Sequence, residues 1–102
     1  MRLKIPKPPK MSVSGAEDVA ASGLALLAAD PPRLNRFLTD SGLTPDYLMQ
    51  NAGERAVLAA VLEHICGDES LLLVFAAERQ LPPEQVVAAH ILLSGPRPEY
   101  SM

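Results

Sequence analysis

The segment Glu54-Arg-Ala-Val-Leu-Ala-Ala-Val-Leu-Glu-His-Ile-Cys66 decides the fold class. Val57, Leu58, Val61, Leu62, Ile65 and Cys66 recur at the i, i+1, i+4, i+5 spacing that lines apolar side chains along one stripe of an α-helix. Alternation at period two, the mark of a half-buried strand, does not persist anywhere in the chain. The pattern predicts a helix over Glu54 to Cys66, the fourth in chain order, ended by Gly67. Toward the C-terminus, Asp68 has the chemistry of a cap for a fifth helix over Glu69 to Gln80. Leu81-Pro82-Pro83 then leads into a sixth that runs to Ser94, with Val86, Val87, His90 and Ile91 expected on its apolar face. Toward the N-terminus, Gly53 closes a short third helix that starts at Thr44-Pro45 and reaches about Ala52. A second helix spans Pro31 to Ser41, with Asp30 at its cap, Pro31 where a missing N–H costs nothing, and Gly42 past its end. Ser14-Gly-Ala-Glu17 reads as a capping box that opens a first helix from about Gly15 to Ala29.

The expected fold is therefore all-α, a compact bundle of about six short helices forming one domain over residues 14–95. Residues 1–13 hold Pro6, Pro8 and Pro9 among Arg2, Lys4, Lys7 and Lys10, and are expected to be a disordered basic arm. Residues 96–102, after Gly95-Pro96-Arg97-Pro98, are expected to be a flexible tail. A chain of 102 residues can bury a real core. With only 4% aromatic residues and no Trp, that core must be filled by Leu, Val, Ala, Ile and the two Phe.

Displacing the chain against itself by 38 places aligns Val19 with Val57, Leu24 with Leu62, Asp30 with Asp68, Leu34 with Leu72 and Phe37 with Phe75. Leu43 then meets Leu81 and Pro45 meets Pro83, so turns and caps match as well as core positions. The expected organisation is two tandem three-helix units over residues 15–52 and 53–94. Helical period alone would align apolar residues, but not the capping Asp and the Leu-x-Pro turn. The departures are informative: Arg33, Asn35 and Arg36 become Leu71, Leu73 and Val74, leaving the fifth helix apolar nearly all round. Such a helix is expected at the centre of the bundle, with Arg33 and Arg36 on an edge helix in solvent. Any part of Leu71, Leu73 and Val74 left uncovered would join these arginines as an interaction surface.

Charge and composition exclude several function classes. The first 13 residues carry +4, whereas from Ser14 onward five bases face twelve acids. An acidic domain is a poor phosphate binder, because nucleic-acid affinity comes largely from Lys and Arg displacing condensed counterions. Cys66 is the single cysteine, so no intramolecular disulfide is possible and a cytoplasmic location is expected. Val19 to Ala29 is too short to cross a bilayer, which needs about 20 apolar residues. The prolines and acids between the basic start and that stretch also argue against a signal peptide.

Candidate chemistry is sparse. Glu63, His64, Cys66 and His90 do not have metal-ligand spacing, and no metal or other cofactor is expected. Cys66 has apolar residues, Gly67 and Asp68 beside it rather than a base or cations, and reads as an inert buried thiol. His90 reads as a hydrogen-bonded core or boundary residue, and Asp68-Glu69 as a cap with favourable charge at a helix start. No phosphate loop, nucleophile elbow or paired-carboxylate motif is present, so no catalytic residue is assigned. Phe37 to Leu48 and Phe75 to Val86 each have the helix, turn, helix spacing of a DNA reader. Their second helices, however, open with Pro45-Asp46 and Pro83-Glu84, acid where phosphates would lie.

The run Leu24-Ala-Leu-Leu-Ala-Ala-Asp-Pro-Pro-Arg-Leu-Asn-Arg-Phe-Leu38, with Ser41-Gly-Leu-Thr-Pro45, Val61-Leu-Glu-His64 and Asp68-Glu-Ser-Leu-Leu-Leu-Val-Phe-Ala-Ala-Glu78, resembles a bacterial family catalogued as domain of unknown function 3572. The likeness covers nearly everything after Met11. It implies a compact helical domain of a bacterial cytoplasm and brings no assigned activity, so no functional residue is carried over. The Lys-Pro arm departs from the family pattern, and Met11 offers an alternative start. The expected function is a non-enzymatic helical protein-interaction module, binding a protein partner or a second copy of itself. Its surface residues are Arg33, Arg36, Leu71, Leu73 and Val74. A helix-turn-helix-like DNA-binding accessory protein is the alternative, and membrane association is not expected.

Overall fold

A computed structural model of the protein describes residues 11–94; residues 1–10 of the arm expected over 1–13, and the tail expected over 96–102, lie outside them. The described residues form α1 (Val13–Ala28), α2 (Pro31–Ser41), α3 (Pro45–Asn51), α4 (Arg55–Cys66), α5 (Glu69–Arg79) and α6 (Pro83–Ser94), with no strand among them. The fold is all-α, a bundle of six helices, as the breaker and cap pattern predicts.

The cap chemistry explains most boundaries. Thr44 and Asp68 receive the backbone N–H groups of Tyr47 and Leu71 on side-chain oxygens, at 3.1 and 3.2 Å. The first boundary is corrected: the cap of α1 is Ser12, whose Oγ accepts from Gly15 N at 2.9 Å, and Ser14 already lies inside the helix. Residues 11–13 thus belong to the folded domain rather than to the arm. Met11 packs on the core beside the cap, and Ala16, four positions into the helix, is fully buried, the two places that a hydrophobic staple uses. Asp30 occupies the cap of α2 without a capping bond, and its carboxylate instead lies 3.5 Å from Arg33 Nε.

The bundle is built on the crossing of α1 and α4. Val19, Ala20, Gly23 and Leu27 on α1 and Val57, Leu58, Val61 and Ile65 on α4 are all buried, and each pair is separated by the same 38 positions. On α1 the smaller member twice replaces the larger, Ala20 for Leu58 and Gly23 for Val61. A Cβ at Gly23 would sit 2.7 Å from Ile65 Cδ1 and 3.2 Å from Val61 Cγ1, so the absence of a side chain is what lets the two helices approach. Helix α6 packs across both α1 and α4, and α2 and α5 flank them. Phe37 and Phe75, also 38 apart, fill the core from α2 and α5, and Leu48 and Val86 from α3 and α6. The contacts are less symmetric than the burial. Helix α6 packs extensively on α1 and α4, whereas the seven-residue α3 packs closely on no other helix.

Two expectations about placement are corrected. The central helix is α4, which packs against α1, α2, α5 and α6, whereas α5 packs mainly on α4 and α6. Helix α5 buries Leu71, Phe75 and Ala76 and leaves Leu73 and Val74 at 50% and 37% exposure, so an apolar circumference did not bring burial all round. Helix α6 buries Val86, Ala89 and Leu93 and turns Val87 and Ile91 outward, rather than burying Val86, Val87, His90 and Ile91 together. Its sequence is apolar on every side, so periodicity gave no direction; fully buried Ala89 allows close approach to two neighbours at once.

The ends of α2 and α5 repeat one conformation with different residues. Gly42 and Gln80, 38 apart, are both left-handed, at φ 77° and 57°. Glycine adopts this at no steric cost, but Gln80 does not. Gln80→Gly is expected to raise stability by about 0.5–1 kcal/mol, read as a higher urea midpoint. Gly23→Val is expected to lower it by about 2 kcal/mol through overpacking against Ile65 and Val61. In Gly23→Ala, about 1 kcal/mol of added helix propensity offsets most of a smaller clash, so that variant should melt near the wild type.

Candidate functional site

Helix α4 projects the end of its exposed side between α2 and α5, and the three together form an open groove. Its floor is Ala60, Glu63 and His64 of α4 with Gly67 just past its end. One wall is α2, through Pro32, Arg33, Arg36 and Asp40, and the other is the start of α5, through Asp68, Glu69, Ser70, Leu71 and Val74. The groove has two halves of different chemistry that share Arg36, His64 and Asp68. In one half, Asp40, Glu63 and Glu69 are exposed carboxylates. In the other, Leu71, Val74 and Pro32 give an apolar surface rimmed by Arg33 and Arg36.

His64 is a largely enclosed polar residue of the groove. It follows Val57 and Val61 by seven and three residues, on the flank of the buried stripe of α4. Its side chain is only 10% exposed, and its ring meets Phe37 edge-on, with centroids 5.4 Å apart at 65°. Nδ1 lies 3.6 Å from Asp40 Oδ2, beyond hydrogen-bond distance, and forms an ion pair there only when the imidazole is protonated. A His–Asp pair is also part of general-base machinery, but Asp40 is 59% exposed and does not clamp the ring. The nearby Ser41 hydroxyl is occupied in closing α2, 3.5 Å from Leu38 O and 3.2 Å from Leu43 N.

Four of the five surface residues expected from sequence, Arg33, Arg36, Leu71 and Val74, line the apolar half together. Leu71 is corrected from a surface residue to a core one: at 7% exposure it forms the bottom of the groove. Leu73 does not line the groove, so Leu71, Leu73 and Val74 are not one patch. Arg33 is partnered by Asp30, whereas Arg36 makes no ion pair among the described residues. Sequence reasoning missed His64, Asp40 and Glu63 as neighbours, because no spacing along the chain brings α2 beside the end of α4. It also missed Arg55, whose guanidinium donates to the carbonyls of Leu93 and Leu92 at 3.1 and 2.8 Å and closes α6 from the start of α4.

The remaining candidates are placed as follows. No group of three or more His, Cys, Asp or Glu among the described residues is positioned to share a metal ion. Asp46 and Glu84 lie exposed in the first turns of α3 and α6, so both helix pairs present acid where a DNA reader needs bases. No helix among the described residues is long and apolar enough to cross a membrane. Cys66 is half-buried, with Sγ 4.0 Å from Val86 O, and burial pushes its thiol above the ordinary range. Alkylation of Cys66 in the folded protein is expected to be slower at neutral pH than in the urea-unfolded chain. Its half-maximal rate should also fall at higher pH, because the thiolate is the reacting form.

No curated protein and no solved structure matches the chain. A family model described as "Protein of unknown function (DUF3572)" matches residues 13–96, from the first residue of α1 to just past the end of α6. That span takes in all six helices of the described residues and every residue of the groove, and the chain belongs to this family.

Proposed function

We propose that the protein is a non-enzymatic interaction module whose α2–α4–α5 groove receives a protein partner. The observation that carries this reading is the meeting, in one open groove, of an apolar base at Leu71 and Val74 with Arg36, which has no ion pair among the described residues. Apolar surface beside directional charged groups is the usual composition of a protein contact site, the first supplying desolvation energy and the second orientation. The side chains that would tune chemistry for catalysis are instead wet: Asp40, Glu63 and Glu69 are exposed. A single half-buried thiol suits a reducing compartment, so we place the module in a bacterial cytoplasm.

The test is crosslinking of the full chain in cells, followed by purification and by sizing with light scattering. The expected outcome is one defined complex, with a partner or with a second copy. Arg36→Glu combined with Val74→Asp should reduce its yield at least tenfold while leaving the thermal melt unchanged, since both positions lie outside the core. A strict monomer with no defined complex, or a complex indifferent to both changes, would overturn the reading.

A further inference from the structure

The two halves of the α2–α4–α5 groove make opposite demands on whatever fills it. In the acidic half, Asp40, Glu63 and Glu69 are exposed, and no Lys or Arg among the described residues forms an ion pair with any of them. The domain has little positive charge to supply, because residues 11–94 hold four arginines, no lysine and eleven acids. In the apolar half, Leu71 forms the base and Val74 is 37% exposed beside it. Arg36 and His64 line both halves. The His64 side chain is nine-tenths buried, yet neither ring nitrogen makes a hydrogen bond or is sealed from solvent among the described residues, so its free polar edge opens on the groove. We propose that the groove's occupant is an extended segment of the partner protein that carries an apolar and a basic side chain two positions apart. The apolar side chain lies on Leu71 and Val74, the basic one faces Glu63 and Glu69, and the backbone carbonyls between them accept from Arg36 and His64. This occupant gives the partner's chemistry and rests on the reading of the groove as a protein contact site.

Charge complementarity selects the basic member. A cation brought among three carboxylates without Lys or Arg partners is attracted by each, and the exposure of those carboxylates keeps the desolvation cost small. Arg36 stands at the boundary of the two halves and repels a cation from the apolar one, which orders the two side chains along the groove. Chain geometry selects the spacing: the halves adjoin, and alternate side chains of an extended segment point the same way about 6.6 Å apart. The hydrogen-bonding groups select the conformation. A helix satisfies its own carbonyls and would leave Arg36 and His64 unused, whereas an extended backbone brings carbonyls that need donors. A free cation would occupy the acidic half alone, and a wholly apolar segment would leave the carboxylates unneutralised.

The experiment titrates the full chain with the capped peptide acetyl-Ser-Leu-Ser-Lys-Ser-amide at low salt and follows the amide NMR spectrum. Saturable shifts are expected at Arg36, His64 and Glu69 to Val74, with α3 unmoved. Replacing the peptide's Leu by Ser should weaken binding about fivefold, through lost apolar burial. Replacing its Lys by Glu should weaken it about as much, and so should moving the Lys next to the Leu. In the protein, Glu63→Gln/Glu69→Gln should weaken the parent peptide about threefold, an effect that shrinks at high salt because exposed ion pairs are screened. No groove shifts at millimolar peptide would overturn the proposal, as would equal binding of any of the altered peptides. Equal binding of the Leu-to-Ser peptide would make the groove a site for a cation only. Complex formation in cells is read separately. A defined complex that is lost in Arg36→Glu/Val74→Asp but indifferent to Glu63→Gln/Glu69→Gln overturns only the basic and apolar segment. Selective peptide binding by a chain that forms no complex in cells overturns only the interaction module.

Discussion

Everything in this domain depends on how closely α1 can approach α4. At Gly23 there is no side chain, and Val61 and Ile65 fill that space from the other helix. Packing at this density resists bulk beyond what the flexible end of Ile65 can make room for, so the crossing point limits the distance between these two apolar faces. Once that distance is set, α6 can span both helices at once, with Ala89 sealed beneath it. Arg55 then donates to the carbonyls of Leu92 and Leu93, tying the start of α4 to the end of α6.

The groove is a by-product of that arrangement. Helix α4 carries its buried stripe toward α1 and α6, so its opposite flank must be covered by α2 and α5 or be left open. Phe37 and Phe75 are buried in the core, and beside them the groove stays open along Ala60, Glu63 and His64. What lines the opening is then a matter of where each wall helix points its non-core residues. Helix α2 supplies Arg33, Arg36 and Asp40, and α5 supplies Glu69, Ser70 and Val74, which is why base, acid and apolar surface meet within one site. His64 joins the two walls: its ring packs on Phe37 of α2 while its helix carries the floor.

The 38-residue correspondence shows how related patterns can serve different ends. Along α1 and α4 it matches four buried pairs, although Leu62 is buried where Leu24 is only half-buried, and at Gly42 and Gln80 it matches backbone conformation. It does not match contacts, because α3 ends after seven residues and packs closely on no other helix, whereas α6 runs for twelve and becomes part of the core. The differences lie where side-chain volume or helix length changed, while the caps and turns kept their places.

Helix boundaries and fold class were legible along the chain because their causes are local. A capping oxygen reaches a backbone N–H three residues on, a proline blocks its own turn, and an apolar stripe repeats within one helix; Asp68, Pro45 and Val57 to Ile65 each act within a few residues. Even the local reading missed by two residues at Ser12, where the apolar Met11 ahead of it favoured an earlier start. Which helix is central, which face of α6 turns inward, and whether Leu71 is floor or surface were decided only in three dimensions. On a helix that is apolar all round, every orientation has nearly the same burial energy, so close-packing against particular neighbours makes the choice. The groove is likewise a property of the assembled helices: Arg36 and Leu71 are 35 positions apart in the chain and share a site only because α4 lies between them.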